Sequence, residues 1–392
     1  MGADATPVLW IYGPPGVGKS TVGWELFTRL IASGTPAGYV DIDQLGMCYG
    51  PPRPDDWIPE PADDHGRHRM KARNLDAVAA NQQAAGARIV IVSGVVDPQR
   101  GVDHGLLPHA AVRTLRLRAD PPELRRRLAG RGRSGEDIDR ELAHADELDR
   151  VHVADECVDT TRLPASAVVD LVSARVNEWT TAAAAFHSGC VQAVTDPTDH
   201  APGEVVWVCG VTAIGKSTVG GQLYQRIRAS GVHTALVDLE QIGFHRPAPT
   251  DDPANHRLKA ANLAALWRTY HAAGAQRLVL IGDVDSNATV RAYAAALPAT
   301  TLTVCRLHAG RNTIRQRILQ RGKGIRPVDL AGDQLIGQPQ TTLRAAADRA
   351  AAEAEVLDRA EVGDLRIDTD GRDVDDLVDE ILRAIRMDER SK

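Results

Sequence analysis

Two nine-residue stretches carry the clearest chemistry in this chain, GPPGVGKST at 13–21 and GVTAIGKST at 210–218. Each follows one pattern of glycine, four residues, then Gly-Lys-Ser: Gly13, Gly18, Lys19 and Ser20 in the first, Gly210, Gly215, Lys216 and Ser217 in the second. Gly16, Thr21 and Thr218 complete the two loops. Glycines let successive backbone N–H groups point into one concavity, and the start of a helix adds its positive dipole, so the pair can cradle phosphate oxygens. Lys19 and Lys216 would neutralise β/γ-phosphate charge, while the Ser20 and Ser217 hydroxyls would ligate Mg²⁺. The spacing predicts a bound nucleoside triphosphate at two places.

About twenty residues past each lysine stand paired carboxylates, Asp41-x-Asp43 and Asp238-x-Glu240. On an extended chain, side chains at i and i+2 point the same way, so both can face a cleft beyond the strand's end. One can hold a magnesium-bound water, and the other can orient or deprotonate an acceptor hydroxyl. A third constellation is His68-Arg69-x-Lys71-Ala72-x-Asn74-Leu75, repeated as His256-Arg257-x-Lys259-Ala260-x-Asn262-Leu263. The chain has only six lysines against forty arginines, and two of them fall in these blocks. Arg69, Lys71, Asn74, Arg257, Lys259 and Asn262 are therefore candidates for gripping a substrate phosphate, carboxylate or sulfate. The alternative is a solvated helix start duplicated with the rest.

The elements that must position these residues repeat too. VDIDQLG at 40–46 returns as VDLEQIG at 237–243, AAGARIVIVSG at 84–94 as AAGAQRLVLIG at 272–282, and LRRRLAGRG at 124–132 resembles IRQRILQRG at 314–322. A period of nearly half the chain means two whole domains. We expect domains at 1–186 and 204–392, joined by a linker at 187–203 that has no sustained period. Each half alternates apolar strands with helices: PVLWIY, a helix over 20–32, GYVDI, RIVIV and VRTLRL in the first, EVVWVC, TALVDL, RLVLI and TLTVCRL in the second. That alternation predicts a parallel, doubly wound sheet in each, an α/β architecture. Asp120 before Pro121 and Pro122 predicts a helix through Leu128, and the stretch from Gly322 to Asp364 predicts an additional one.

Composition narrows the function classes. With 43% hydrophobic and 25% charged residues and a net charge of −6, the chain reads as soluble and globular, with no surface for nucleic acid. No stretch approaches the length of a membrane span, and five dispersed cysteines form no ligand pair, so we expect a cytoplasmic protein with no zinc site and no membrane partner. No guanine-reading [NT]KxD motif is present, and no long apolar strand ends in Asp-Glu, which argues against a GTPase or an AAA-type motor.

Strand, P-loop, helix, acidic strand end, arginine-rich helix and a late VDTT-like strand end (158–161, and IDTD at 367–370) together resemble the small P-loop kinases of the nucleoside-monophosphate-kinase-like fold. That group includes shikimate, gluconate and adenylylsulfate kinases and chloramphenicol phosphotransferase. The resemblance covers nearly the whole chain, twice, at about 185 residues each time. It implies ATP and Mg²⁺ as cofactors, a small-molecule acceptor, Asp43 or Glu240 acting on that acceptor, and Asp41 and Asp238 supporting the metal beside Ser20 and Ser217. It also implies lid arginines, found regionally at Arg127, Arg131 or Arg133 and at Arg317, Arg321 or Arg326; with the P-loop lysines and the acceptor carboxylates, Arg131 and Arg321 complete the expected catalytic set. The late Asp159-Thr160-Thr161 and Asp368-Thr369 would line an adenine pocket or cap the final helix.

Glu240 departs from the family's Asp, lengthening the reach by one methylene. The expected activity is ATP-dependent transfer of the γ-phosphoryl to a hydroxyl of a metabolite or antibiotic-like compound. Two other classes stay open: a nucleotide-gated regulator that binds ATP without transfer, and a polynucleotide 5′-hydroxyl kinase. The latter needs a basic groove with aromatic platforms, which fifteen aromatics and net negative charge do not favour. The two halves are also expected to be able to imitate a dimer.

Overall fold

A computed structural model describes residues 5–52, 65–151, 154–184, 201–325 and 332–389. The first half runs β1 (Thr6–Tyr12), α1 (Lys19–Ala32), β2 (Ala37–Asp41), β3 (Cys48–Tyr49), α2 (His65–Ala84), β4 (Ile89–Gly94), β5 (Ala110–Arg118), α3 (Pro121–Ala129), α4 (Gly135–Arg150), β6 (Glu156–Asp159) and α5 (Ala165–Ala184). The second runs β7 (Gly203–Cys209), α6 (Lys216–Ala229), β8 (Thr234–Asp238), β9 (Phe244–Arg246), α7 (His256–Ala272), β10 (Arg277–Gly282), α8 (Asn287–Ala296), β11 (Thr300–His308), α9 (Arg311–Gly322), α10 (Gln340–Arg359), β12 (Leu365–Asp368) and α11 (Val374–Glu389). None of these helices is long and apolar enough to cross a membrane.

Two six-stranded sheets result, ordered β6-β5-β1-β4-β2-β9 and β12-β11-β7-β10-β8-β3. Five strands of each are parallel, as the alternating pattern requires. The chain leaves β1 for β2, returns to β4, then passes beyond β1 to β5, and right-handed crossovers place α1 and α2 on opposite faces. This reversal opens a crevice at the carboxyl end of β1, where the first glycine loop begins. β1 and β4 are covered on both faces and wholly buried. The helix expected after Asp120 forms as α3: the Asp120 carboxylate accepts the N–H of Glu123 at 2.8 Å, with Pro121 and Pro122 in its first turn. The helix expected between Gly322 and Asp364 is α10.

The sixth strand of each sheet departs from the all-parallel expectation. β9, from the second half, runs antiparallel to β2, with Gly38 opposite His245. β3, from the first half, runs antiparallel to β8, with Cys48 opposite Ala235. The compact units are therefore discontinuous: one comprises 1–46, 58–196 and 243–258, the other 47–57, 197–242 and 259–392. The domains expected at 1–186 and 204–392 thus exchange a segment each way, and most of the expected linker lies outside the described residues. In the first unit Gln82 holds the incoming strand, donating from Nε2 to the Phe244 carbonyl at 3.1 Å and pairing through Oε1 with His245 Nδ1 at 3.0 Å. Phe244 packs edge-on against Trp24 and Tyr39. In the second unit Arg228 donates from Nε to the Gly50 carbonyl at 3.0 Å and lies over the Tyr49 ring. An edge strand this short satisfies its backbone by borrowing a neighbour.

Candidate functional site

In the first unit the loop between β1 and α1 has the shape that its glycines allow. Gly13 has φ of 148°, and a Cβ there would lie 2.2 Å from the Leu117 carbonyl oxygen, so only glycine lets β1 turn so close to β5. Helix α1 begins at Lys19 behind Gly18, whose φ is 95°, and no side chain caps it. Its first N–H groups are therefore left for another acceptor, and the space over Gly18 is open, which fits a phosphate. Lys19 Nζ donates to the Pro14 carbonyl at 3.1 Å. Burial pushes its pKa down, against the pull of Asp43 and Asp41. Ser20 and Thr21 follow on the exposed side of the first turn.

The acidic pair sits where β2 ends. Asp41 begins a single 3₁₀ turn over 42–45, its Oδ1 accepting the Asp43 N–H at 3.0 Å. Gly94, φ 135°, brings the end of β4 against Ile42 of this turn; a Cβ would stand 2.3 Å from Ile42 Cγ2. Burial and the neighbouring Asp43 push Asp41 up to about 7, against the pull of Lys19 and Lys71. Asp43 behaves differently. Burial alone would raise it, but Lys71 Nζ at 2.8 Å, with Lys19 behind, holds it below the ordinary carboxylate range. Lys71 is 4% exposed, whereas the Asp43 side chain keeps about half its surface open to the cleft.

Lys71 and Asn74 were candidates for gripping substrate, and the structure gives both an internal partner. Lys71 reaches Asp43 from α2, and Asn74, 1% exposed, donates from Nδ2 to the Leu45 carbonyl at 2.7 Å, pinning the acidic turn. Arg69, two residues before Lys71 on α2, is exposed and with it lines a small cavity of about 40 Å³ that opens to solvent. Trp10 forms part of its wall, with Val95 and Val96 beyond β4; His68 and Arg100 line it too, as do the carboxylates of Asp97 and Asp103. The indole Nε1 of Trp10 is buried without a hydrogen-bond partner.

The second unit repeats the frame with different detail. α6 starts at Lys216 behind an uncapped Gly215, φ 109°, so its loop also fits a phosphate. Ala213 stands where the first loop has Gly16 and is held at φ 61°. Ser217 and Thr218 are half-buried in the first turn of α6. Asp238 accepts the Glu240 N–H at 2.9 Å, and burial pushes it up to about 6. Lys259 forms a short ion pair with Glu240, and Asn262 donates to the Ile242 carbonyl at 2.7 Å, so these two also hold the acidic turn from within. Arg257 is committed elsewhere: it makes a two-pronged pair with Asp251, both contacts at 2.8 Å, and belongs to the segment carried into the first unit.

Lys216 Nζ lies 2.6 Å from Asp283, a residue the sequence reading passed over. Asp283 follows β10 at the place where Val95 follows β4. A carboxylate after an apolar strand in one repeat only was the available signal.

The lid arginines separate into two kinds. Arg127 donates to the Thr160 hydroxyl and carbonyl at 3.0 and 2.8 Å, and Arg317 does the same at Thr369, at 2.9 and 3.2 Å, while also reaching the Ile214 carbonyl of the glycine loop at 2.8 Å. These two brace the frame. Thr160 and Thr369 bond the carbonyls of Arg118 and His308, so they join neighbouring strand ends and do not cap the last helix. Arg131 and Arg133 are exposed after α3, and Arg131 lies near enough to Lys19 to oppose its charge. Arg321 is paired with Asp333 at 2.7 Å, and Arg326 lies outside the described residues. Glu141 and His144, one turn apart on α4, also sense Lys19: burial raises the first and lowers the second. Sequence reasoning missed both, as it missed Glu353 of α10, whose carboxyl senses Lys216.

Among the described residues no group of three or more His, Cys, Asp or Glu side chains could hold a metal alone. One carboxylate and one hydroxyl beside a phosphate site suit Mg²⁺, which keeps waters and leans on phosphate oxygens.

Residues 10–149 match the family model described as AAA domain. The chain has no match among curated proteins. Solved structures similar to it include the tunicamycin resistance protein of Deinococcus radiodurans, 20% identical, covering 44% of this chain and 95% of that one with a TM-score of 0.33. A gluconokinase from Sinorhizobium meliloti 1021 is 19% identical over 46% and 97%, TM-score 0.32, and a shikimate kinase from Bacteroides thetaiotaomicron is 17% identical over 44% and 99%, TM-score 0.29. The likeness to P-loop small-molecule kinases read from the motifs is thus met again among solved structures, as a likeness only. At these scores it carries no argument about activity. The matched description names AAA domains, yet β4 ends in Ser93-Gly94 and β10 in Gly282 before Asp283, so neither carries the Asp-Glu end expected of a motor.

Proposed function

We propose that the chain is an ATP- and Mg²⁺-dependent phosphotransferase that moves the γ-phosphoryl of ATP to a hydroxyl of a small molecule, and that the first unit carries this activity. One observation supports it above the others: Asp43 is fixed by Lys71 at 2.8 Å, near the P-loop lysine, and Lys71 itself lines the cavity walled by Trp10. An acceptor in that cavity presents its hydroxyl to Asp43. The hydroxyl oxygen forms a bond to the γ-phosphorus, the bond from that phosphorus to the bridging oxygen breaks, and its electron pair leaves with ADP. The hydroxyl proton passes to Asp43, whose charge Lys71 balances. Lys19 and the uncapped N–H groups of α1 hold the phosphates, and Arg131 adds positive charge beside Lys19. Ser20 and Asp41 would hold Mg²⁺, which would neutralise phosphate charge there. The cavity's mixed wall, an indole with valines beside the Arg69 and Arg100 cations and the Asp97 and Asp103 carboxylates, suits a compound with both an apolar part and a hydroxylated one.

The test is ADP release from Mg·ATP against sugars, nucleosides, nucleotides, adenylylsulfate and hydroxylated antibiotics, with wild type, Lys19→Ala and Asp43→Asn. Acceptor-dependent release lost in both variants supports the proposal. Tight ATP binding without acceptor-dependent release across the panel overturns it.

A further inference from the structure

We infer that the second unit is a nucleoside-triphosphate-binding unit without an acceptor site, which confines phosphoryl transfer to the first; this rests on the kinase reading above. The two units diverge at the segment after the third parallel strand in sequence. After β4 the chain makes an Asp97–Gly101 bridge and a short 3₁₀ turn over 104–106 before entering β5, with no α-helix, and the cavity walled by Trp10 lies beneath. After β10 the chain instead builds α8, capped by Ser286, whose hydroxyl accepts the Thr289 N–H.

Trp207 holds the place in β7 that Trp10 holds in β1. Tyr293 of α8 packs on Trp207 with ring centroids 4.8 Å apart and planes at 60°, and both side chains are completely buried. A tilted aromatic pair of this kind is a packed core. The volume that stands open beside Trp10 is filled beside Trp207 by a residue of the chain itself. A transferring hydroxyl must come within about 3.5 Å of the γ-phosphorus, and an acceptor needs room for its remaining atoms next to that point.

The phosphate side of the second unit is retained. The loop keeps its uncapped helix start, and Ala213 stays in the left-handed region, at φ 61°. Such a backbone is strained for a residue with a Cβ and persists where the surrounding fold imposes it. Lys216, held by Asp283 at 2.6 Å, carries its charge into the mouth of this loop. Asp283 takes the place that Val95 holds in the first unit.

Two quantities measured on the full chain test this: the number of non-hydrolysable ATP analogues bound with Mg²⁺, by equilibrium dialysis, and acceptor-dependent ADP release. Wild type should bind two analogues and Lys19→Ala one, while release in Lys19→Ala falls by about a hundredfold or more. The analogue still bound shows that this variant is folded. Asp43→Asn should bind two analogues and also lose release. The inference is overturned if Lys19→Ala binds none, or if either variant keeps more than about a tenth of wild-type release. Two analogues bound by wild type, with no acceptor-dependent release from it, would sink the kinase reading and leave the second unit a binding unit as described. No analogue bound by wild type overturns both.

Discussion

Lys71 Nζ stands 2.8 Å from Asp43 Oδ1, with the lysine almost wholly withdrawn from solvent and the aspartate half open to the cleft. The same pairing recurs between Lys259 and Glu240. Because Lys71 serves the carboxylate, Lys71→Met should lower kcat by about a hundredfold with little change in the KM of the acceptor. Steady-state ADP release measures both. A raised KM with kcat intact would place Lys71 on the substrate.

Asn74 and Asn262 should show no kinetic signature in binding and a clear one in stability. Each donates at 2.7 Å to a carbonyl of an acidic turn, Leu45 and Ile242, and replacement by Ala leaves that carbonyl unpaired. Urea unfolding of either variant should show a loss of about 1–3 kcal/mol.

Much of this frame was legible in the sequence. The glycine loops, the acidic strand ends and the helix after Asp120 rest on signals spread over fewer than about ten residues, where local backbone chemistry decides. Lys71 stands out in the sequence by its type and reads there as a substrate cation or a solvated helix start, because its partner lies 28 residues earlier and meets it only after α2 has folded over the turn. The exchange of β3 and β9 was not legible. Strands of two and three residues, Cys48–Tyr49 and Phe244–Arg246, have no measurable period, and their pairing is decided by topology. Nor did the repeat reveal that Tyr293 fills the space beside Trp207, since the segment holding it is the one that differs between the halves.

Asp41→Asn should raise the Mg²⁺ concentration needed for half-maximal turnover by about tenfold or more, while the ATP analogue still binds. Turnover titrated with MgCl₂ at fixed ATP checks this, and an unchanged midpoint would remove Asp41 from the metal site.

Asp358 gives the second unit an acid-sensitive brace. Burial would raise its carboxyl, but Arg366 Nε at 3.0 Å and Arg306 at 2.6 Å, with His308 at 3.1 Å, hold it below its ordinary value. A folded-state pKa below the unfolded one gives stability that is present above about pH 4 and lost as pH falls through the folded value. Asp358→Asn should cost about 2 kcal/mol at neutral pH, with the difference from wild type shrinking below pH 4, in thermal unfolding followed across pH.

Gln82→Ala should loosen β9 without touching the phosphate loop. It removes both side-chain contacts to Phe244 and His245, worth about 1–2 kcal/mol, and trypsin should then cut faster after Arg257, Arg246 being protected by Pro247. Cleavage at the wild-type rate would mean that backbone pairing and the Trp24 contact suffice.

The exchanged strands also set a timetable for synthesis. When Asp41 leaves the ribosome, β2 has β4 to come on one side, but its other neighbour, Phe244–Arg246, is about 200 residues from being made. At roughly 5 to 20 residues per second, the nascent first unit would wait roughly 10 to 40 seconds with that edge unpaired. An open β edge is what chaperones and aggregating neighbours recognise, so the first unit reaches its finished form only after much of the second half has emerged.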